Sequence, residues 1–272
     1  MGLCVKIAST KGFPILELIF ARAVVSLLLC FVDVWRLGIY PWGEKTSLLW
    51  LRGLIGFLSL VAVYTSLTIL PLAEATLIQY LHPIFTALLA FVFLGEYIHR
   101  NTTICIILGI IGVSILLKPS VFGGAPLPFD GVAIGLLGAV GSGAAYTLVR
   151  YLSQTEHASV IVLYFPLVCL PLSLILGGSS FMMPHGIDWF LLAAIGVFTQ
   201  IGQVALTIGM SLVNAAKAAA YSYIQIVFAL VLGILFIGEN FSISTLLSAI
   251  FIVLGIMINQ SSWTNKRIDH KN

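Results

Sequence analysis

Nine long apolar stretches, at about 14–34, 48–70, 72–94, 102–117, 131–151, 158–177, 188–210, 215–237 and 243–259, fill nearly the whole chain. A stretch of roughly 20 apolar residues is the length that crosses a bilayer as a helix. Backbone groups in lipid must be satisfied within the segment, as they are in a helix. Composition closes the alternative of a soluble protein: only 8% of the 272 residues are charged and 60% are hydrophobic, with a mean hydropathy of +1.11. Soluble domains carry roughly 25% charged residues. The connections are short and hold Gly, Pro and charged residues, such as Lys118-Pro119 and Asp130. No extramembrane module fits between the spans, and the five tryptophans, Trp35, Trp42, Trp50, Trp189 and Trp263, fall near predicted span ends, where indole rings favour the interface.

A net charge of +3 and the lack of a basic run give no footprint for nucleic acid. Cys4, Cys30, Cys105 and Cys169 show no CxxC or Cys/His spacing, so neither a metal nor another cofactor is expected.

Sliding the chain against itself by 143 residues aligns 48–116 with 191–259 without a gap, with 17 identities in 69 positions. They include Gly53/Gly196, Ala73/Ala216, Tyr80/Tyr223, Phe85/Phe228 and the Phe-x-Gly-Glu sequence of Phe93, Gly95 and Glu96 against Phe236, Gly238 and Glu239. A repeat of this length holds five helices. Five is odd, so the second copy enters the membrane from the opposite side, an inverted-repeat plan that recurs in secondary transporters. The predicted fold class is therefore an all-α polytopic membrane protein of ten helices. Its organisation is 1–118 as the first repeat, 131–260 as the second and 261–272 as a short basic tail. By the repeat, the partner of the sixth span would start before Met1, so the apolar segment 1–9 is expected to be a half-helix. An incomplete start is favoured over a nine-helix form, and a cleaved signal peptide is not expected.

With both ends cytoplasmic, the inner segments hold Arg36, Lys45, Arg52, Arg100, Arg150, Lys217, Lys266, Arg267 and Lys271, against Lys11 and Lys118 outside. That asymmetry follows the positive-inside rule and places the C-terminus in the cytoplasm. The cell's inner or plasma membrane is the expected location, with an organellar membrane as the alternative.

The stretch Leu70-Pro71-Leu72-Ala73-Glu74-Ala75, through His82-Pro83 to Phe93-Leu94-Gly95-Glu96, resembles the EamA-type drug/metabolite transporter superfamily. Leu108-Gly109-Ile110-Ile111-Gly112 follows it, and the second copy repeats it from Ala215-Ala216-Lys217-Ala218 to Gly238-Glu239 and Leu254-Gly255. Ala21-Arg22 after Gly12-Phe13-Pro14 is similar to the family's early arginine. The resemblance implies two five-helix halves and transport of small solutes, and it names no substrate.

Polar side chains are costly inside a bilayer and each needs a reason. On the fourth span Gln79, His82 and Thr86 share a helix face. On the ninth, Ser222 and Gln225 do so; on the third, Tyr64 and Thr68; on the eighth, Gln200, Gln203, Thr207 and Ser211. Gln79, His82, Tyr64, Gln200, Gln203, Ser222 and Gln225 are the candidate substrate-binding set around a central cavity. The alternative is that the amides bond neighbouring helices. Pro83 frees the carbonyl of Gln79 inside the fourth span. Glu74 and its repeat partner Lys217, with Arg22 inside the second span, are candidate gate or coupling groups. Tyr80 and Tyr223 point away from the 79/82 face and rank lower. Pro83, Gly95, Glu96, Gly238 and Glu239 are expected to be structural. Gly95 and Gly238 would end helices at positive φ, and each glutamate would serve the start of the helix that follows. Gly53/Gly56, Gly109/Gly112 and Gly138/Gly141 would permit close helix packing.

The leading expectation is a secondary transporter (exporter, exchanger or facilitator) of small organic metabolites. No P-loop is present, and His82 has no spaced acid or nucleophile beside it, which disfavours ATP-driven transport and a membrane-embedded enzyme. A non-transporting scaffold or receptor subunit is the other class, against which the short loops count. The expected partners are a small-molecule substrate and lipid, with a homodimer left open.

Overall fold

The computed structural model describes residues 4, 5, 7, 8, 11–70, 75, 78–116, 128–225, 228, 247, 250, 251, 253–255, 257 and 258. Eight α-helices are bounded among them: α1 Ile15–Leu37, α2 Thr46–Ile69, α3 His82–Leu94, α4 Arg100–Leu116, α5 Phe129–Leu152, α6 Ala158–Gly177, α7 Asp188–Leu212 and α8 Ala215–Tyr221. The described residues contain no strand. Helices α1, α2, α5, α6 and α7 are long and apolar enough to cross a membrane, and α3 and α4 are shorter apolar helices. Two compact units emerge. One is Met1–Tyr64 with Ala144–Val213, the other Thr65–Gly143 with Asn214–Asn272. Each unit thus draws chain from both sequence repeats.

In the first unit α6 is the centre. Of the helix windows that could cross a membrane, that of α6 is 61% buried, against 33–39% for the others. Helix α1 packs on α6 and α7, and α7 packs on α6. Helix α1 starts after Pro14, carries Glu17 in its first turn and ends at Gly38, whose φ of 63° is the left-handed cap. Glycines set the distances between these helices. A Cβ on Gly53 of α2 would lie 2.6 Å from Val168 Cγ2 and 2.9 Å from the Tyr164 carbonyl of α6. A Cβ on Gly196 of α7 would lie 2.4 Å from Val25 Cβ of α1. No side chain fits at either place. In lipid, where water does not drive helices together, such backbone approach is the main source of packing energy.

Polar contacts fasten the ends of this unit. The Glu156 carboxylate accepts hydrogen bonds from the backbone N–H of Glu44 and Lys45 at 2.8 and 2.6 Å. The Tyr164 hydroxyl donates to the Trp42 carbonyl at 2.9 Å. Both hold the α1–α2 loop on the start of α6. At the opposite end of α6, Glu17 accepts from the Met182 N–H at 2.8 Å, and Lys11 pairs with Asp188.

In the second unit α8 packs on α3 and α4. Ala216, Ala220 and Tyr223 meet Ala87, Cys105 and Ile106 in one apolar cluster. Gly109 leaves room for the Tyr223 ring, whose atoms would stand 2.8–2.9 Å from an added Cβ. Helix α3 ends at Gly95 with φ 64°, as its sequence suggests. Glu96, however, reaches a helix remote in sequence. Its Oε2 accepts from the backbone N–H of Ala215 at 2.7 Å, at the start of α8. The carboxylate meets a positive helix end as the sequence implies, but that end lies 119 residues away in the chain. Gly238, Glu239 and Glu74 lie outside the described residues.

The fourth and ninth spans also differ from expectation. Both read as continuous, at 72–94 and 215–237. In the structure the first is interrupted by a turn at Tyr80-Leu81, before α3 begins at His82. The second is interrupted at Ser222-Tyr223, after α8 ends. Tight i−3 bonds replace helical ones at both: Leu81 N–H to Ile78 at 3.1 Å, and Ser222 N–H to Ala219 at 3.0 Å. Pro83 explains the first break, because it lacks an N–H for the Gln79 carbonyl. The second has no proline. There the Ser222 hydroxyl donates back to the Ala219 carbonyl at 2.6 Å, competing with the backbone.

Three sites give stability outcomes. Gly53→Ala should destabilise the folded protein by roughly 1–3 kcal/mol through overpacking. Gly202→Ala on α7, where a Cβ meets nothing within 4 Å, should leave the melting temperature in detergent unchanged or higher. Glu96→Ala should cost about 1 kcal/mol of stability by exposing an uncapped N–H, with Glu96→Gln costing less in the same thermal melts.

Candidate functional site

Two helices of the first unit bring buried arginines to one aromatic ring. Arg22 of α1 and Arg52 of α2 are both buried, at 3% and 2% exposure. Their guanidinium carbons stand 5.0 and 4.8 Å from the centroid of the Phe165 ring on α6. The ring has space there because of Gly56, one helical turn past Arg52. A Cβ on Gly56 would lie 2.9 Å from the ring and 3.9 Å from Arg52 Nη1. Helix α7 supplies the amides. Arg52 Nη2 donates to Gln203 Oε1 at 3.0 Å, and Gln200 Nε2 donates to Cys30 Sγ at 3.0 Å. Tyr146 of α5 lies within electrostatic reach of both arginines.

Several polar atoms of this unit are buried and unsatisfied. Arg52 Nε and Nη1, Gln200 Oε1, Thr199 Oγ1 and Tyr64 OH have no hydrogen-bond partner. No described carboxylate forms an ion pair with either arginine. Buried polar groups are normally paired, and the exceptions call for an explanation. Stacking of guanidinium on an aromatic face recovers only about 0.5–2 kcal/mol.

This placement changes the expectation for Arg52. Counted among cytoplasmic flanking charges, it stands seven residues into α2 and is buried. The sequence signal is its position inside the span expected at 48–70, although its nearness to the start of that span lets it read as a flanking charge. Phe165 and Tyr146 carried no signal, since an aromatic in an apolar helix is unremarkable. Arg22, Gln200, Gln203 and Tyr64, all singled out from the sequence, lie in this unit.

The remaining residues belong to the second unit. Gln79 is half-buried and His82 is buried, one on each side of the Tyr80-Leu81 turn. The His82 carbonyl accepts from the Thr86 hydroxyl at 2.8 Å. Ser222 is buried, with its hydroxyl committed to its own helix, and Gln225 is exposed. Lys217 is 8% exposed on α8, which does not fit a side chain snorkelling into solvent. The two tyrosines that ranked lower come together: the rings of Tyr80 and Tyr223 are 6.4 Å apart, tilted by 31°. Tyr223 is 1% exposed and its hydroxyl lacks a partner. Their identity across the repeat was the signal that marks them. Among the described residues no three His, Cys, Asp or Glu side chains gather as a metal site would require.

Comparison with known proteins agrees with this architecture. The model of the EamA-like transporter family matches residues 1–118 and 130–260. The chain is 32% identical over 255 residues to the pseudopaline exporter CntI of Pseudomonas aeruginosa, covering 93% of this chain and 88% of that protein. It is 27% identical over 233 residues to human solute carrier family 35 member G1, covering 81% and 63% of the two chains. A solved crystal structure superposes with a TM-score of 0.83 at 20% identity, over 98% of this chain and 93% of the other, which establishes the shared fold. Both named relatives, and the family whose model matches, are transporters by their printed descriptions. An all-helical, multi-pass chain with this match across both repeats belongs to the EamA-like transporter family.

Proposed function

We propose that the protein is a secondary transporter that exports small organic metabolites by alternating access between two inverted five-helix repeats, 1–118 and 131–260. The observation that carries this is the pair of helix interruptions at Tyr80-Leu81 and Ser222-Tyr223. Discontinuous helices at corresponding places of two repeats are where transporters of this plan build their sites. A broken helix in a membrane exposes backbone acceptors, which is tolerated only against protein, water or a ligand. Outward export is supported by the printed name of the Pseudomonas relative.

In this reading ten spans place both ends of the chain, including the basic tail 261–272, in the cytoplasm, and the plasma membrane is its site. Gln79 and His82 flank one interruption, and Ser222 and Gln225 flank the other. Those four are solute-binding candidates of the second unit, and Tyr64, Gln200 and Gln203 are those of the first. Glu74 and Lys217 act as gate groups near opposite membrane faces, with Arg22 inside the site. The imidazole of His82 and the carboxylate of Glu74 are the groups able to carry a proton if export is coupled.

Purified full-length protein in proteoliposomes should move a small organic metabolite across the membrane. Failure to move or bind any member of a broad metabolite panel would remove this reading. Pro83→Ala restores an N–H to the interruption. It should raise the melting temperature while reducing flux at least fivefold, because a healed helix no longer offers the Gln79 carbonyl. Wild-type flux in that variant would separate the interruption from transport.

A further inference from the structure

We infer that the Arg22–Phe165–Arg52 cluster binds the oxyanion group, carboxylate or phosphate, of an organic anion that also carries a hydrogen-bond donor; this rests on the transport reading above. Two guanidinium groups buried in a membrane-spanning unit carry a charge that water cannot screen. Such cations pair with a counter-ion or line a path for one. The described carboxylates of this unit are engaged or placed elsewhere. Glu17 holds the Met182 N–H, Glu156 holds the Glu44 and Lys45 N–H groups, and Asp188 pairs with Lys11. Glu44 is exposed in the α1–α2 loop. Asp33 lies eleven residues beyond Arg22 on α1, roughly 16 Å along the axis at 1.5 Å per residue. The described carboxylates of this unit thus give neither arginine an ion pair, which leaves the place of a counter-ion to an anionic solute.

The donors are already set for such a group. Arg52 spends Nη2 on Gln203 and leaves Nε and Nη1 without partners. These two groups point to different edges of the planar guanidinium, so each is a separate donor for an oxygen of a carboxylate or phosphate. Arg22 faces the same ring, and so adds a second positive charge in the neighbourhood of Arg52. Gln203 orients the Arg52 plane as a positioning residue. Gln200 Oε1 is a bare acceptor, and it can be satisfied only by an N–H or O–H. The recognised chemistry is thus an anion with an adjacent hydroxyl or amine, such as a hydroxy acid, an amino acid or a sugar phosphate.

The test uses the full-length protein with malate, glutamate, glucose 6-phosphate, glucose and choline as probes. Two readouts are taken, the thermal shift in detergent and flux in proteoliposomes. Malate, glutamate or glucose 6-phosphate should raise the melting temperature and be transported, while glucose and choline should not. Which anion responds tells carboxylate from phosphate. Gln203→Glu places a carboxylate beside Arg52 as an internal competitor. It should remain folded, melt higher without ligand, and lose anion binding at least tenfold. Arg52→Gln should lose binding to a similar degree, and Arg52→Lys should recover part of it. Anion binding within twofold of wild type in Gln203→Glu would overturn the inference. Wild-type transport of only glucose or choline would overturn it too, while leaving the transport reading intact. An anion-induced shift that is lost in Gln203→Glu, with no flux of any probe, would uphold the inference and remove the transport reading. No shift and no flux would remove both.

Discussion

The approach of α2 to α6 at Gly53 and Gly56 is the constraint on which the first unit depends. The absent side chains let Val168 and Phe165 sit against the α2 backbone. Phe165 then becomes the surface on which two arginines from two other helices are held. A larger residue at either glycine would separate the helices and dissolve the stack. Packing and chemistry are therefore one arrangement here: the same small residues that supply contact energy in lipid fix the place of the charges.

The second unit rests on a different economy. Its two interrupted segments come from opposite repeats and carry the same tyrosine at the same register, yet they break for different reasons. One break follows from a missing N–H at Pro83 and the other from a serine that bonds to its own helix. The repeat has kept the geometry while changing the residues that produce it. Gly109 accommodates Tyr223, which lets the ring sit over α4 within the apolar cluster.

Much of the fold was legible because it follows from hydropathy and length. The span expected at 158–177 coincides with α6, and those at 14–34, 48–70, 131–151 and 188–210 begin and end within a few residues of helices. The interruptions were half legible. Proline announces the first, but serine within a helix is common and does not announce the second. At the site, residues that are anomalous in lipid stood out, namely Arg22, Gln200, Gln203 and His82. Arg52 did not, because a charge a few residues inside a span is easily assigned to the interface. Phe165 did not either, because its role is set by what stacks on it. The target of Glu96 could not be read at all, since its partner is brought close by tertiary packing alone.

That last contact bears on motion. Gly95 turns the chain at the end of α3, and the very next side chain grips the beginning of α8. One carboxylate therefore joins the tail of one helix to the head of another, antiparallel in repeat and remote in sequence. Sliding α3 past α8 would first break that clasp. Any rearrangement that opens this unit is easier about the two turns, with α3 and α8 travelling as a single lever.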